Sequence, residues 1–457
     1  MNEVRVVQKE NNDTQFKIMT EGSVNRIILS LGIPATISML VTNLYNIADT
    51  YFVSQIGLSA SGAVGIVFGF MSVLQAIGFM FGQGAGSNIA RSLGEKDEKA
   101  AGEYATISFG IAFILSIVIG GICLAFLNPF LRLLGSTDTI LPYAATYVKF
   151  IIAAAPFTVC GFVMNNILRF EGKANFAMIG LVSGALLNMI GDPILIFYFG
   201  LGIYGAGLST AFSQIVSFFI LLSFFVRGKT SVKLKLAHIK FDPDKFKEIV
   251  TIGFPSMSRQ GLQSISTMLL NNYAAVYGDA AVAAMSIVSR IVFLVFAVGL
   301  GVGQGYQPVS GFNYGAKKYS RVRKAFRFTW ILSEGILGTC AIACFFAAPY
   351  AVGIFRKDPE VLDIGILALR LQCVSMLFQP LGVVSNMTFQ STGKAFLAFV
   401  SSLFRNGLFF IPTIIIGTHF FGILGIQSAQ AISDILTFIT TVPLIIHYFK
   451  TLPADGK

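Results

Sequence analysis

Charge is what this chain has least of. Asp, Glu, Lys and Arg make up 12% of its 457 residues, about half the share of a soluble globular domain. There are three histidines, His238, His419 and His447, and none stands beside a nucleophile. The complete Gly-x-x-x-x-Gly-Lys-Ser/Thr phosphate loop is absent, since Gly228-Lys229-Thr230 has Ser223 where the first glycine belongs, and no His-Glu-x-x-His occurs, so nucleotide-driven and zinc-hydrolase chemistry lose their usual signatures. Five cysteines (Cys123, Cys160, Cys340, Cys344, Cys373) are spread through apolar sequence without a Cys-x-x-Cys pair, which supports neither a disulfide frame nor a metal site. The first 20 residues are polar and the apolar run after them is too long for a signal core, so no cleaved leader is expected.

What is abundant is apolar: 54% of residues are hydrophobic and the mean hydropathy is +0.74. Stretches of about 20 apolar residues, enough to cross a bilayer core, recur twelve times. The expected spans are 26–52, 60–86, 101–126, 140–168, 175–199, 204–226, 247–273, 280–306, 322–347, 360–389, 396–418 and 423–448. With both termini cytoplasmic, 25 of the 33 Lys and Arg fall in tails and loops on the inner side, three on the other (Arg132, Arg356, Lys357) and five inside spans. That asymmetry obeys the positive-inside rule. It also accounts for the net charge of +11 through anionic headgroups, with no nucleic acid partner needed.

A shift of 221 residues lays the chain on itself. Gly32-Ile33-Pro34 meets Gly253-Phe254-Pro255, and Gly82-Gln83-Gly84 meets Gly303-Gln304-Gly305. Of 25 glycines from Gly22 to Gly207, eight meet glycine, where chance pairs about two or three; such self-similarity marks a duplicated unit. Six spans per repeat keep both copies in one orientation, related by a pseudo-twofold axis along the membrane normal. The expected organisation is an all-α integral membrane protein of twelve helices in two parallel six-helix lobes. Residues 1–25 form a cytoplasmic tail, 26–226 the N-lobe, 227–246 a basic linker, 247–448 the C-lobe and 449–457 a second tail.

Ionisable groups within spans are costly and so are functional suspects. Asp49 follows Tyr45 by four residues and Asp192 follows Asn188 by four, which puts each pair on one helical face. Pro193 removes an amide hydrogen and crowds the preceding turn, making it a hinge candidate. A carboxylate, an amide and a freed carbonyl make oxygen ligands for Na⁺, and a desolvated carboxylate alternatively takes up a proton. The acids are absent from the second copy: Asp49 falls on Leu270, and the register near Asp192 gives Pro412 or Thr413. That half instead carries Arg259, Arg290, Arg370 and Arg405, with Glu334 and Asp434 as partners for structural ion pairs. Met39, Phe68, Met71, Met164 and Met285 offer adaptable apolar surface for a cavity wall.

Gly-Ile-Pro opening the repeat, Asp49-Thr50-Tyr51-Phe52-Val53 running on to Gly57, Gly82-Gln83-Gly84, and Asn188 with Asp192-Pro193 together resemble the multidrug and toxic compound extrusion (MATE) transporters. The resemblance implies a V-shaped pair of bundles around a central cavity, exporting amphipathic, often cationic drugs in exchange for H⁺ or Na⁺. It implies a coupling network of Asp49, Asn188, Asp192 and Thr210, with Tyr45, Tyr147 and Asn165 as its supporting shell. An acid that some branches carry in the seventh span is replaced here, with Gln263 near its place; Ser258-Arg259-Gln260 is similar to the bacterial drug exporters. Gln260 and Gln263 join the candidate cavity on that basis.

The expectation is a monomeric secondary antiporter of the plasma (inner) membrane, not an enzyme. It needs no cofactor beyond coupling H⁺ or Na⁺, and its partners are small amphipathic or cationic substrates and the lipid bilayer. A lipid-linked oligosaccharide flippase is the alternative, in which the intramembrane arginines bind anions. A major-facilitator transporter lacks support because the loop after span 2 reads Arg91-Ser92-Leu93-Gly94-Glu95-Lys96, and a membrane enzyme lacks a catalytic set.

Overall fold

A computed structural model of the chain describes residues 13–234 and 242–456. Lys235 and Lys240 of the basic linker, the first 12 residues and Lys457 lie outside them. The described residues form helices and connecting turns, with no strand among them. In chain order the long helices are α1 (Val24–Ser54), α2 (Leu58–Gly94), α3 (Glu98–Ala125), α4 (Leu141–Phe170), α5 (Ala174–Pro193), α6 (Gly202–Val226), α7 (Pro243–Ala275), α8 (Asp279–Gly315) and α9 (Tyr319–Phe355). They continue with α10, bent by 51° between Pro359–Met376 and Gln379–Ser391, α11 (Ala395–Leu403, resuming at Phe410–Phe421) and α12 (Ile423–Thr451). Single π turns, Ile194–Tyr198 and Phe404–Leu408, continue α5 and interrupt α11.

Each expected span has its helix. Ten helices are long and apolar enough to cross a membrane, eleven with bent α10 taken as one span. α7 has the length, 33 residues, but Ser256, Ser258, Arg259, Gln260, Gln263 and Ser264 keep it too polar to qualify. α2 and α8 run 37 residues each, to Gly94 and Gly315, well past the apolar runs ending at 86 and 306. Their last turns are polar in sequence yet buried, Gln83, Ser87, Asn88, Gln304, Ser310 and Asn313 being almost fully enclosed. Hydropathy alone therefore undercounts them.

The duplication is written into the backbone. Among the described residues, the non-glycine residues with positive φ are Lys96 (63°) and Lys317 (56°), 221 apart. Each ends its helix in a left-handed cap, where Asp97 N–H donates to Ser92 O at 2.8 Å and Lys318 N–H to Asn313 O at 2.8 Å. Asn165 Nδ2 donates to Ala177 O (2.8 Å), and its counterpart Asn386 Nδ2 donates to Ala398 O (2.7 Å).

Two compact units emerge, and their borders differ from the repeat borders. Of the described residues, one comprises 13–18, 37–234 and 242–253, the other 19–36 and 254–456, so the first parts of α1 and α7 each belong with the opposite repeat. The motif glycines give the physical reason. In the first unit a Cβ on Gly84 would lie 2.0 Å from Ile249 O, and one on Gly253 would lie 1.9 Å from Met80 O. In the second, a Cβ on Gly305 would sit 2.3 Å from Gly32 N, and one on Gly301 would sit 2.2 Å from Thr36 Oγ1. Small residues let helix backbones touch, the usual device of membrane packing. The last glycine of Gly-Gln-Gly in each repeat thus packs against the first glycine of Gly-x-Pro in the other, Gly84 on Gly253 and Gly305 on Gly32.

Candidate functional site

The first unit gathers the acids predicted from spacing. Asp49, on α1, is buried, and Asp192, at the end of α5, is completely enclosed. The two carboxyl groups are near enough to act on each other electrostatically. The four-residue spacing on α5 acts as expected, with Asn188 Nδ2 donating to Asp192 Oδ1 at 3.2 Å. The same amide reaches Ser209 Oγ and Thr210 Oγ1 on α6, both at 3.3 Å. Tyr147, from α4, stands with its hydroxyl 3.4 Å from Thr210 Oγ1, and the Tyr45 phenol is buried within electrostatic range of both acids.

Oxygen acceptors outnumber donors here. Asp49 Oδ1, Asp192 Oδ2 and Asn188 Oδ1 are all buried and none has a hydrogen-bond partner among the described residues. Buried polar atoms are otherwise almost always satisfied, and leaving them so costs free energy. Two buried carboxyl groups that act on each other are relieved by a bound proton or by a cation with oxygen ligands. The oxygen set therefore fits H⁺ or Na⁺. No group of three His, Cys, Asp or Glu able to hold a metal occurs among the described residues.

Beyond Asn188 the cluster faces a cavity with an empty volume of about 1100 Å³. Its wall includes Asn46, Phe68, Met71, Gln75, Asn188 and Gln214, and Tyr45, Asn165 and Thr210 also line it. Of the apolar residues singled out in the sequence, Phe68 and Met71 line this cavity. Met39, on α1, is half-buried. Met164 is not in the wall, because α4 is packed on all sides there and the side chain is fully enclosed. Met285 likewise belongs to the apolar core of the second unit, against Ala368 and Leu369. Asn165 has its amide engaged on Ala177 O, a scaffold bond that Asn386 repeats. Ser209, Gln75 and Gln214 were not anticipated; the polar run Ser209-Thr210 with Ser213 on α6 is a signal that could have marked Ser209 and Gln214.

Pro193 closes α5 and the π turn follows it at once, Phe199 N–H donating to Ile194 O at 3.0 Å. Ser209 Oγ donates to Asn188 O at 3.4 Å, so the departure from α geometry lies just beyond Asp192. π turns inside helices concentrate at functional positions.

The second unit builds a different kind of centre. Asp434 is enclosed and receives Arg405 Nε (2.7 Å), Gln379 Nε2 (2.7 Å), Ser375 Oγ (3.1 Å) and Gln430 Nε2 (3.1 Å). Both its oxygens are satisfied, and Arg405 is its ion-pair partner. The π turn of α11 presents Arg405, and Asn406 beside it donates to Gln263 Oε1 at 2.9 Å. Gln260 is half-buried, its carbonyl accepting from Ser264 Oγ at 3.2 Å. Arg290 is exposed. Among the described residues Glu334 forms no ion pair.

Comparison with known proteins finds a match to the MatE family model over residues 34–194 and 255–416, one segment per repeat. The multidrug export protein MepA of Staphylococcus saprophyticus is 26% identical over 439 residues, covering 96% of this chain and 97% of that protein. MepA of Staphylococcus haemolyticus is 26% identical over 92% of this chain and 93% of its own length. Among solved structures, an outward-facing multidrug resistance MATE transporter of the MOP superfamily superposes with a TM-score of 0.90 at 27% identity, covering 95% and 98% of the two chains. A MOP superfamily transporter from Pyrococcus furiosus, described as having a binding pocket of reversed polarity, also gives 0.90 at 27% identity, covering 96% and 98%.

Proposed function

This chain belongs to the MatE family and is a multi-pass membrane transporter, and on that premise we propose that it exports amphipathic cations from the cell by exchange for H⁺ or Na⁺ at the Asp49–Asp192 pair. Its similarity to the MepA exporters supports multidrug efflux, their bacterial source supports the plasma membrane, and the basic residues of tails and loops support cytoplasmic termini. The observation that carries the coupling is the trio of unpartnered buried oxygens on Asp49, Asp192 and Asn188. A proton or Na⁺ there lowers the local negative charge by one. The cavity lined by Phe68, Met71 and Gln75 then loses its attraction for a cationic substrate. Each ligand favours a different state of the same site, which is what obligatory exchange requires. One charge moving through 100 mV supplies about 2.3 kcal/mol. The chain acts as a monomer and no cofactor takes part beyond the coupling ion. An anion-binding reading of the arginines is weakened at Arg405, whose charge Asp434 already balances.

Binding of tetraphenylphosphonium to the purified chain tests the scheme. Affinity should fall as pH is lowered or as Na⁺ is raised, and the effective ion identifies the coupling species. Asp192→Asn should bind weakly and show no such competition; unchanged binding and unchanged competition in that variant contradict the proposal.

A further inference from the structure

The second unit has a groove between α9 and α12, built from residues that take no part in the site above. Its empty volume is about 1400 Å³. Lys324 and Arg327 line one end, and Trp330, Phe438, Ile446 and Phe449 form the apolar bed, with Leu381 of α10 also in the wall. The two helices are tied near the basic end. There Arg323 Nη2 donates to Phe449 O (3.2 Å) and Leu452 O (2.9 Å), and the Phe326 and Phe449 rings meet edge to face at 4.9 Å.

Lys324 and Arg327 are open to solvent on the groove side, and neither forms an ion pair or hydrogen bond among the described residues. Spaced three apart, they share one face of α9. The acid at this end, Asp455, is engaged elsewhere, accepting the Ser320 N–H at 2.7 Å and its hydroxyl. Arg323 is occupied by carbonyls. Two uncommitted cations therefore stand over an aromatic and aliphatic channel that descends along a membrane-spanning helix. Trp330, the chain's one tryptophan, lies one turn below Arg327, the depth at which tryptophan marks the bilayer interface. A cationic drug is repelled from such a mouth, and a soluble anion leaves the apolar bed unfilled. An amphiphile with an anionic head and an acyl tail matches both parts, and a bilayer surrounds the groove with that chemistry.

We propose that this groove binds an anionic phospholipid, its phosphate on Lys324 and Arg327 and an acyl chain along Trp330, Phe438 and Ile446. Basic pockets between membrane helices are where such headgroups settle. The lipid bridges α9 and α12 below the Arg323 tie and so braces the second unit.

Native mass spectrometry and thermal unfolding of the full chain, with phosphatidylglycerol or phosphatidylcholine of identical acyl chains, test this. Phosphatidylglycerol should be retained at least about tenfold over phosphatidylcholine and should raise the melting temperature. Lys324→Gln with Arg327→Gln should abolish the preference, whereas Lys96→Gln with Lys99→Gln should keep it. Ile446→Trp, which fills the bed and keeps both charges, should also lose the retained lipid. Retention of phosphatidylglycerol by the double glutamine variant, equal retention of both lipids by the wild type, or the same stabilisation from inorganic phosphate alone overturns the proposal.

Discussion

Buried aspartates in this one chain serve opposite ends, and the difference is countable at single atoms. Asp434 receives four donors, one of them a guanidinium, whereas Asp192 Oδ2 and Asp49 Oδ1 receive none among the described residues. Removing one member of a buried ion pair leaves an uncompensated charge, a loss of about 3–5 kcal/mol. Arg405→Ala should therefore lower stability by about that amount, read by thermal unfolding in detergent, while Asp192→Asn should leave stability unchanged or raise it. Glu171 gives a third case, outside the spans. Burial pushes its carboxyl above the ordinary range, opposed by Lys173 and the N–H groups of Ser231 (2.7 Å) and Val232 (3.3 Å). A carboxyl raised on folding contributes stability below the ordinary carboxylate range and loses it as pH climbs through the folded value. The wild-type melting temperature should fall over that window, and Glu171→Gln should flatten the slope. Sequence made Asp49 and Asp192 legible because a carboxyl four residues from a polar partner stands out on an otherwise apolar helix, where its burial is costly. It missed Ser209 and Gln379, since hydroxyls and amides are common in spans and only the approach of two helices reveals their partners.

At the scale of elements, eleven of the helices were legible from hydropathy and α7 from its place in the repeat, but the ends of α2 and α8 were not, because their buried polar turns look solvated in sequence. The shared glycines were visible as a repeat without showing what they touch. They are crossing points: Gly84 against Ile249 and Gly253 against Met80 in one unit, Gly305 against Gly32 in the other. Gly84→Ala or Gly305→Ala should each destabilise by about 1–3 kcal/mol through overpacking. Gly121→Ala, where a Cβ meets nothing within 4 Å, should be neutral or slightly stabilising by helix propensity. Unfolding midpoints of the three variants check this. The π turns were likewise unanticipated; Pro193 pointed to the first, and nothing local marked Phe404–Leu408.

For the whole molecule, duplication explains the frame and divergence explains the work. Each compact unit borrows the opening segment of the other repeat's first helix, so neither half of the chain folds as its sequence borders suggest. Upon that frame the first unit holds acids short of donors and the second a satisfied ion pair. The central claim is that the Asp49–Asp192 pair converts a cation gradient into substrate movement. Its most direct test is uptake of tetraphenylphosphonium into liposomes containing the purified chain, with pH and Na⁺ gradients imposed one at a time. The wild type should respond to one gradient, and Asp49→Asn and Asp192→Asn should fall to the level of empty liposomes while Lys324→Gln continues to transport. Full gradient-driven uptake by Asp192→Asn contradicts the account.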